Sequence, residues 1–158
     1  MPKPFAVTAS MLLLACAPLA GCKKGGGDKA DDAGCTYKGN GFCFSPPKDL
    51  RVEPNGSDSV NFHRGKNRIE LNWFPAQPKA ESDSTRDFMK KHEKVLAEAT
   101  IDGGKGRYLE LDKSSYLRVQ AQTTGKKLTF ACVLSIPPAE KTSSKDMIEA
   151  CKSLRAVD

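Results

Sequence analysis

The organisation of the fold is clearest in residues 127–154, which read KLTFACVLSIPPAEKTSSKDMIEACKSL. Apolar residues alternate along its first part, which predicts a strand with one buried face: Leu128, Phe130, Cys132, Leu134 and Ile136. Pro137 and Pro138 end this strand. Apolar residues then recur at spacings of three and four, which predicts one face of a helix: Met147, Ile148, Cys151 and Leu154. Both apolar faces need burial, so we expect strand and helix to pack together.

Alternating patterns upstream predict further strands, separated by short links that contain Gly, Asp, Lys or Asn. With the strand at 127–136, the expected strands are residues 41–45, 58–63, 68–74, 107–111 and 116–122. Their order is strands, a helix, a three-strand meander and a second helix. The sequence therefore predicts an α+β domain, in which an antiparallel sheet of about six strands is combined with a central helix and a C-terminal helix.

The central helix is expected to begin near Ser84 and to continue to about Ala99. Ser84 precedes Asp87 by three residues, which approximates a capping box. An apolar stripe is expected along this helix, formed by Phe88, His92, Val95 or Leu96, and Ala99. The Gly-rich residues 103–107 are then expected to form a loop from the helix to the next strand.

The order of these elements resembles the PsbP/Mog1-like fold, which includes small bacterial lipoproteins of the DcrB-like family. The resemblance covers Gly41 to Asp158. It rests on the element order, on the opening Phe44-Ser45-Pro46-Pro47, and on the closing helix with Cys151-Lys152-Ser153-Leu154. Proteins with this fold are mostly accessory or binding modules, so the resemblance implies a non-enzymatic function.

The N-terminus has the features of an export signal. Lys3 is followed by Phe5 to Ala17, an uncharged stretch too short for the roughly 20 residues that span a bilayer. Leu19-Ala20-Gly21-Cys22 resembles the lipobox of bacterial lipoproteins. The resemblance implies a diacylglyceryl group on the sulfur of Cys22, and cleavage just before this residue.

Two other interpretations of this region are open. Cys22 can instead be a free cysteine after an ordinary cleaved signal. A second box, Leu13-Leu14-Ala15-Cys16, is less suitable because the apolar run before it is short and Leu14 is bulky beside the cleavage position.

We therefore expect residues 1–21 to be a lipoprotein signal peptide, 22–34 a lipidated cysteine with a flexible tether, and 35–158 a single domain. The tether, KKGGGDKADDAG, has no large apolar residue that could pack. The expected location is the bacterial cell envelope, on the periplasmic side or the surface. Lys23 follows the cysteine where an Asp would signal inner-membrane retention, so by analogy the outer membrane is favoured. The formal net charge of +6 then does not indicate nucleic acid, because the exported chain lies outside the cytoplasm.

Four cysteines remain in the exported domain: Cys35, Cys43, Cys132 and Cys151. An even number in an oxidising compartment indicates disulfides, and three pairings are open. A hairpin whose loop is Lys38, Gly39 and Asn40 would place Cys35 opposite Cys43. The strand and helix described above would then bring Cys132 to Cys151. The competing interpretation is a metal site, but CxxC spacing and neighbouring histidines are missing, so we predict no metal and no cofactor.

No catalytic residues can be assigned from the sequence. His63 and His92 lie in no known catalytic motif, and residues 103–107 lack the spacing of a phosphate-binding loop. Glu70 and Glu110 are expected on the polar faces of strands. Basic groups are expected to be solvated, or to contact anionic lipid, lipopolysaccharide or cell-wall polymers: Arg64, Lys66 and Arg68, then Lys90, Lys91 and Lys94, then Lys126 and Lys127.

The leading hypothesis is a non-enzymatic envelope lipoprotein, held to the membrane by its lipid anchor, that serves another envelope protein or an anionic polymer. The second hypothesis is a small-ligand carrier with a pocket between sheet and helix, and with Trp73, Phe74 or Tyr116 at the mouth. The third is a hydrolase, which requires His63 or His92 to meet a carboxylate and a hydroxyl.

Overall fold

A computed structural model describes residues 35–157 of the chain. These residues form ten strands and two α-helices, with short 3-10 turns at Asp102–Gly104 and Pro138–Glu140. The helices are α1 (Lys79–His92) and α2 (Lys145–Lys152). The strands are β1 (Tyr37–Gly39), β2 (Phe42–Phe44), β3 (Arg51–Pro54), β4 (Ser59–Arg64), β5 (Asn67–Pro75), β6 (Lys94–Ile101), β7 (Gly106–Asp112), β8 (Leu117–Thr124), β9 (Leu128–Ile136) and β10 (Arg155–Ala156).

Seven strands form the main sheet, in the order β3-β4-β5-β9-β8-β7-β6. Each neighbouring pair in it is antiparallel. The other three strands form a small antiparallel sheet in the order β1-β2-β10. The α+β architecture expected from the sequence is therefore confirmed. The main sheet has seven strands because β3 and β6 extend its two edges, whereas the strand expected at 41–45 belongs to the small sheet.

The core lies on one side of the main sheet, which we call the inner face. Side chains of β4, β5, β8 and β9 on this face pack with α2 and with the small sheet in one buried cluster. The rings of Phe44 and Phe62 are 5.1 Å apart, and those of Phe42 and Phe130 are 5.4 Å apart. Aromatic pairs at these distances add to the free energy gained by burying their apolar area. The alternation in residues 128–136 thus predicts the correct buried face.

The β1–β2 hairpin differs in register from the one expected. Lys38 lies opposite Cys43, and the loop consists of Asn40 and Gly41, both at positive φ (40° and 88°). Asn-Gly is well suited to this two-residue turn, because the turn needs positive φ at both positions. Cys35 therefore lies beyond the paired residues of β1. It is nevertheless bonded to Cys43, with 5.6 Å between their Cα atoms.

The expected helix over residues 84–99 is wrong in its position and its length. The helix α1 ends at His92, and Glu93 has extended backbone angles (φ −133°, ψ 146°). Residues 94–101 are instead the edge strand β6, which pairs with β7. The Leu, Ala and Glu in this segment favour helix, but pairing with β7 satisfies its backbone, and tertiary context commonly overrides propensity. The Gly-rich residues 103–107 consequently join two strands.

Two further connections hold α2 against the inner face. Cys151 is bonded to Cys132 of β9. Arg64, at the end of β4, donates hydrogen bonds to Asp146 at 2.6 and 2.9 Å and to Asp49 at 2.7 Å. These hydrogen bonds from Arg64 lower the pKa of both carboxyl groups. The sequence predicts a helix that continues to about Arg155, but α2 ends at Lys152, and Leu154 beyond it is still fully buried.

Candidate functional site

The helix α1 lies over the opposite side of the main sheet, which we call the outer face. None of its side chains for which burial is described is fully buried. It approaches the sheet through polar contacts: Gln122 Nε2 donates to Ser82 Oγ at 3.3 Å, and Arg107 lies 3.0 Å from Asp83. Between α1 and strands β7 and β8 is a cleft of about 490 Å³, which we call the α1 cleft. This volume is within the usual range of small-molecule sites.

The expected apolar stripe of the central helix does not face the sheet. Phe88 is 64% exposed, and its ring lies 4.4 Å from that of His92. The side of α1 that lines the cleft is formed by Ser82, Arg86 and Met89, at spacings of four and three. The helix thus presents a mainly polar side to a mainly polar sheet face. The orientation of α1 on the sheet therefore could not be predicted from the apolar residues of its sequence.

Basic side chains outnumber acidic ones in the α1 cleft. Asp83 is the one carboxylate among the described lining residues, and Arg107 and Arg86 lie 3.0 and 3.5 Å from it. Arg86 also donates to Asp87, and this hydrogen bond raises the pKa of the guanidinium. Lys79 and Lys105 line the cleft as well, and neither side chain has a partner among residues 35–157. The cleft therefore carries an excess of positive charge.

The sheet side of the cleft is rich in amides and hydroxyls. Gln120, Gln122 and Thr124 lie at alternate positions of β8, which place their side chains on the outer face. The Oε1 atom of Gln120 is buried and has no hydrogen-bond partner among residues 35–157. On the same face of β8, Arg118 Nε is also buried and unpaired. Buried polar groups are nearly always paired in native proteins, so Gln120 Oε1, which belongs to a residue lining the cleft, is available to accept a hydrogen bond there.

The aromatic residues expected at the mouth of a pocket do not line this cleft. Trp73 is on the inner side of the molecule, with its ring 5.7 Å from that of Phe42. Phe74 is half-buried at the end of β5, and Tyr116 is half-buried in the turn before β8. A cleft between sheet and helix is thus present, but its lining is polar and charged.

A buried polar cluster lies on the inner side. Glu110, 7% exposed, accepts hydrogen bonds from the Tyr108 hydroxyl at 2.7 Å and from Lys141 Nζ at 3.0 Å. Lys152 of α2 lies 4.8 Å from the centre of the Tyr108 ring. Burial raises the pKa of Glu110, but the hydrogen bonds from Tyr108 and Lys141 outweigh it and the net pKa is lowered. Burial also raises the pKa of Tyr108. The placement of Glu110 on a solvated polar face was therefore wrong.

Replacing Glu110 with Gln is expected to lower the free energy of unfolding by about 1–2 kcal/mol at pH 7, because a hydrogen-bonded buried carboxylate is lost. The pKa of Glu110 is lower in the folded chain than in the unfolded chain. The contribution of Glu110 to the free energy of unfolding is thus complete at a pH above its pKa in the unfolded chain. It disappears as the pH falls through its pKa in the folded chain. Urea unfolding between pH 7 and 3 should show the two proteins converging in acid.

Glu70 supplies the control for this measurement, because it pairs with Arg68 at 3.2 Å on the exposed side of the sheet. Glu70→Gln should change the free energy of unfolding by less than about 0.5 kcal/mol. A cost of Glu110→Gln that stays constant down to pH 3 would contradict the assignment to ionised Glu110.

The histidines do not form a catalytic arrangement among the described residues. His63 Nε2 lies 3.4 Å from Glu53 at the β3–β4 edge. His92 is exposed against Phe88. Within residues 35–157 no group of three or more His, Cys, Asp or Glu side chains could hold a metal ion. No helix in this range is both long and apolar enough to cross a membrane.

The remaining predicted residues are dispersed over the surface or lie outside the described range. Cys22 falls among residues 1–34, outside that range. Arg64 is held by two carboxylates, while Lys66 is exposed at the β4–β5 turn and Lys127 at the β8–β9 turn. Lys90 pairs with Glu98, and Lys94 lies 3.9 Å from Asp112. None of these groups lines the α1 cleft, whose basic side chains are those of Lys79, Arg86, Lys105 and Arg107.

Comparison with known proteins gives a fold and no close relative. The sequence matches no protein-family model and no curated protein. The solution structure of the cyanobacterial PsbP protein of Synechocystis superposes with a TM-score of 0.52, at 12% identity. The superposition covers 73% of this chain and 86% of that one. The chain has the PsbP/Mog1-like fold.

Two other solved structures are similar to this PsbP/Mog1-like chain. A crystal structure of a protein from Bacteroides thetaiotaomicron has a TM-score of 0.51 at 16% identity, over 75% of this chain and 46% of that one. LpqN of Mycobacterium tuberculosis, which is involved in cell envelope biogenesis, has a TM-score of 0.47 at 12% identity, over 74% and 83%. At these identities the similarity concerns the fold, and function has to be argued from the site.

Proposed function

We propose that the protein is a non-enzymatic binding module of the bacterial cell envelope, attached to the membrane by lipid on Cys22. The lipobox at residues 19–22 and the apolar stretch before it support export and lipidation. Two or three acyl chains hold a protein stably, since each buried methylene contributes about 0.8 kcal/mol. Residues 23–34 would act as the tether between lipid and domain, and Lys23 favours the outer membrane.

The observation that carries the binding function is the α1 cleft. Its helix is held over the sheet by a few polar contacts, while the inner side of the same sheet is densely packed. The cleft has the size of a ligand site. Within the described part of the chain, its Lys79 and Lys105 have no partner, and the buried Oε1 of Gln120 has no donor. A helix that served only to cover the sheet would be expected to bury apolar side chains against it. The arrangement suits recognition of a polar partner, and His63 and His92 offer no support for a hydrolase.

A diazirine photo-crosslinking amino acid at Thr85 tests this function in intact cells. Thr85 is exposed and lines the α1 cleft, so the probe would sit where the partner binds. The matched control places the same probe at Lys66, which is exposed at a turn away from the cleft. We expect an adduct of defined mass at Thr85 and none at Lys66. A protein that gives no adduct at Thr85, or the same adducts at both positions, would refute binding through this cleft.

A further inference from the structure

We infer that the α1 cleft binds a small hydroxylated anion of the acidic-sugar class, meaning a sugar that carries a carboxylate or a phosphate. This inference rests on the proposed function and names the ligand of the same site. Its elements are the unbalanced charge of the cleft, the amides and hydroxyls of its walls, and its volume.

The anionic group of the ligand is indicated by two lysines of the cleft whose charge no described carboxylate balances. Arg107 pairs with Asp83, and Arg86 pairs with both Asp83 and Asp87, so the positive charge left unbalanced is that of two lysines. Lys105 extends from the turn before β7, and Lys79 from the first turn of α1. Neither ammonium group has a partner among the described residues, and both line the cleft. Lysine and arginine around an open cleft favour carboxylate or phosphate through charge-assisted hydrogen bonds.

The hydroxylated part of the ligand is indicated by the β8 wall. The buried Oε1 of Gln120 needs a donor, and a hydroxyl group of a sugar is one. Gln122 and Thr124 continue the polar row on the same strand, and Ser82 and Thr85 face it from α1. An apolar ligand would leave the Oε1 atom of Gln120 buried without a donor, at a cost in binding free energy.

The volume favours a compact ligand. About 490 Å³ can hold a sugar of one or two rings together with some water, whereas a folded protein partner needs a much larger surface. Acidic sugars can reach an envelope protein free in solution or as units of an envelope polymer. Both sources present the same chemistry to the cleft, and the experiment separates them.

The test is isothermal titration calorimetry on the purified mature lipoprotein in detergent, at low ionic strength. The probes are galacturonate, glucose 6-phosphate, neutral galactose, inorganic phosphate and purified lipopolysaccharide. We expect the two acidic sugars to bind at least about tenfold more tightly than galactose or phosphate. Tighter binding of lipopolysaccharide than of both sugars would identify the polymer as the source, and the reverse result would identify the free sugar.

Variants link the binding to the cleft. Lys79→Gln with Lys105→Gln is expected to weaken galacturonate binding about tenfold, and Gln120→Leu about fivefold. The matched control, Lys66→Gln, removes an exposed lysine away from the cleft and should leave the affinity unchanged. Circular dichroism spectra and melting temperatures of all variants should agree with those of the parent protein, because none of these side chains is part of the core cluster.

Three results would overturn the inference. The first is that neither acidic sugar, at millimolar concentration, produces heat of binding. The second is that inorganic phosphate binds as tightly as the acidic sugars, which would mean an adventitious ion only. The third is that the variant with Lys79→Gln and Lys105→Gln binds galacturonate as tightly as the parent protein. Failure here is distinct from failure of the proposed function. If the Thr85 probe gives an adduct in cells but no acidic sugar binds in the titration, the protein is still a binding module and only the ligand class is wrong. If there is neither an adduct nor sugar binding, both proposals are wrong.

Discussion

Replacing Cys22 with serine is expected to abolish acylation of the protein and to remove it from the membrane fraction. The serine hydroxyl cannot form the thioether that the lipobox implies, so no acyl chain is attached. Cells grown with an alkyne-bearing fatty acid should label the parent protein and leave the variant unlabelled. The label is the deciding measurement, because an uncleaved leader can hold a precursor at the membrane without lipid. Fractionation of processed chains then shows the loss of anchoring.

Cys16→Ser is the matched control, because it removes the cysteine of the second candidate box and leaves residues 19–22 intact. It should keep the full label and the membrane location. The opposite pattern, with label lost in Cys16→Ser and kept in Cys22→Ser, would place the anchor six residues earlier. Label in both single variants would refute a thioether at either cysteine alone.

The elements that form the inner face can be predicted from the sequence, because burial of one side of each element makes apolar residues recur at regular spacings. In β8 and β9, alternate residues enter the core, and the alternating apolar letters show this directly. In α2, spacings of three and four place Met147, Ile148 and Cys151 in the same core. Local pattern and tertiary environment agree in these elements, and such agreement is the condition under which sequence reasoning is reliable.

The edge of the sheet could not be predicted in the same way. Residues 94–101 contain good helix formers, and most of their side chains are exposed, so burial imposes almost no period on them. What makes them a strand is pairing with β7, a contact between segments that no local pattern records. The strand β3 is missed for the same reason, since all four of its residues are exposed.

A pocket between sheet and helix is among the hypotheses from the sequence, but the residues that line the α1 cleft were not predicted, because they are polar and come from separate segments. Lys79, Asp83 and Lys105 look like ordinary surface residues in the sequence. The signal that was available is the row of polar residues at alternate positions of β8, because this strand lies in the interior of a seven-stranded sheet. A central strand with one consistently polar face needs either solvent or a polar partner there.

Removing the Cys132–Cys151 disulfide is expected to have the largest effect on stability. Both cysteines are fully buried, and the bridge is the covalent link between β9 and α2. The double variant Cys132→Ala with Cys151→Ala loses about 3 kcal/mol by the chain-entropy model for a separation of 19 residues. The cavity left by two sulfur atoms adds to this loss. Thermal unfolding without reductant should show a melting temperature lower by roughly 10–15 °C.

The second disulfide provides the control, since Cys35 and Cys43 are only 8 residues apart and Cys35 is half-buried at the start of the described domain. The double alanine variant of this pair should cost at most about 2.5 kcal/mol, because the closed loop is shorter. The two costs are compared by urea unfolding of the oxidised proteins. If removal of the Cys35–Cys43 disulfide lowers the free energy of unfolding as much as removal of Cys132–Cys151, or more, then the bond at Cys151 is not what holds α2 to the sheet. Other contacts would then have to account for the tight packing of α2 on the inner face, which contrasts with the open α1 cleft.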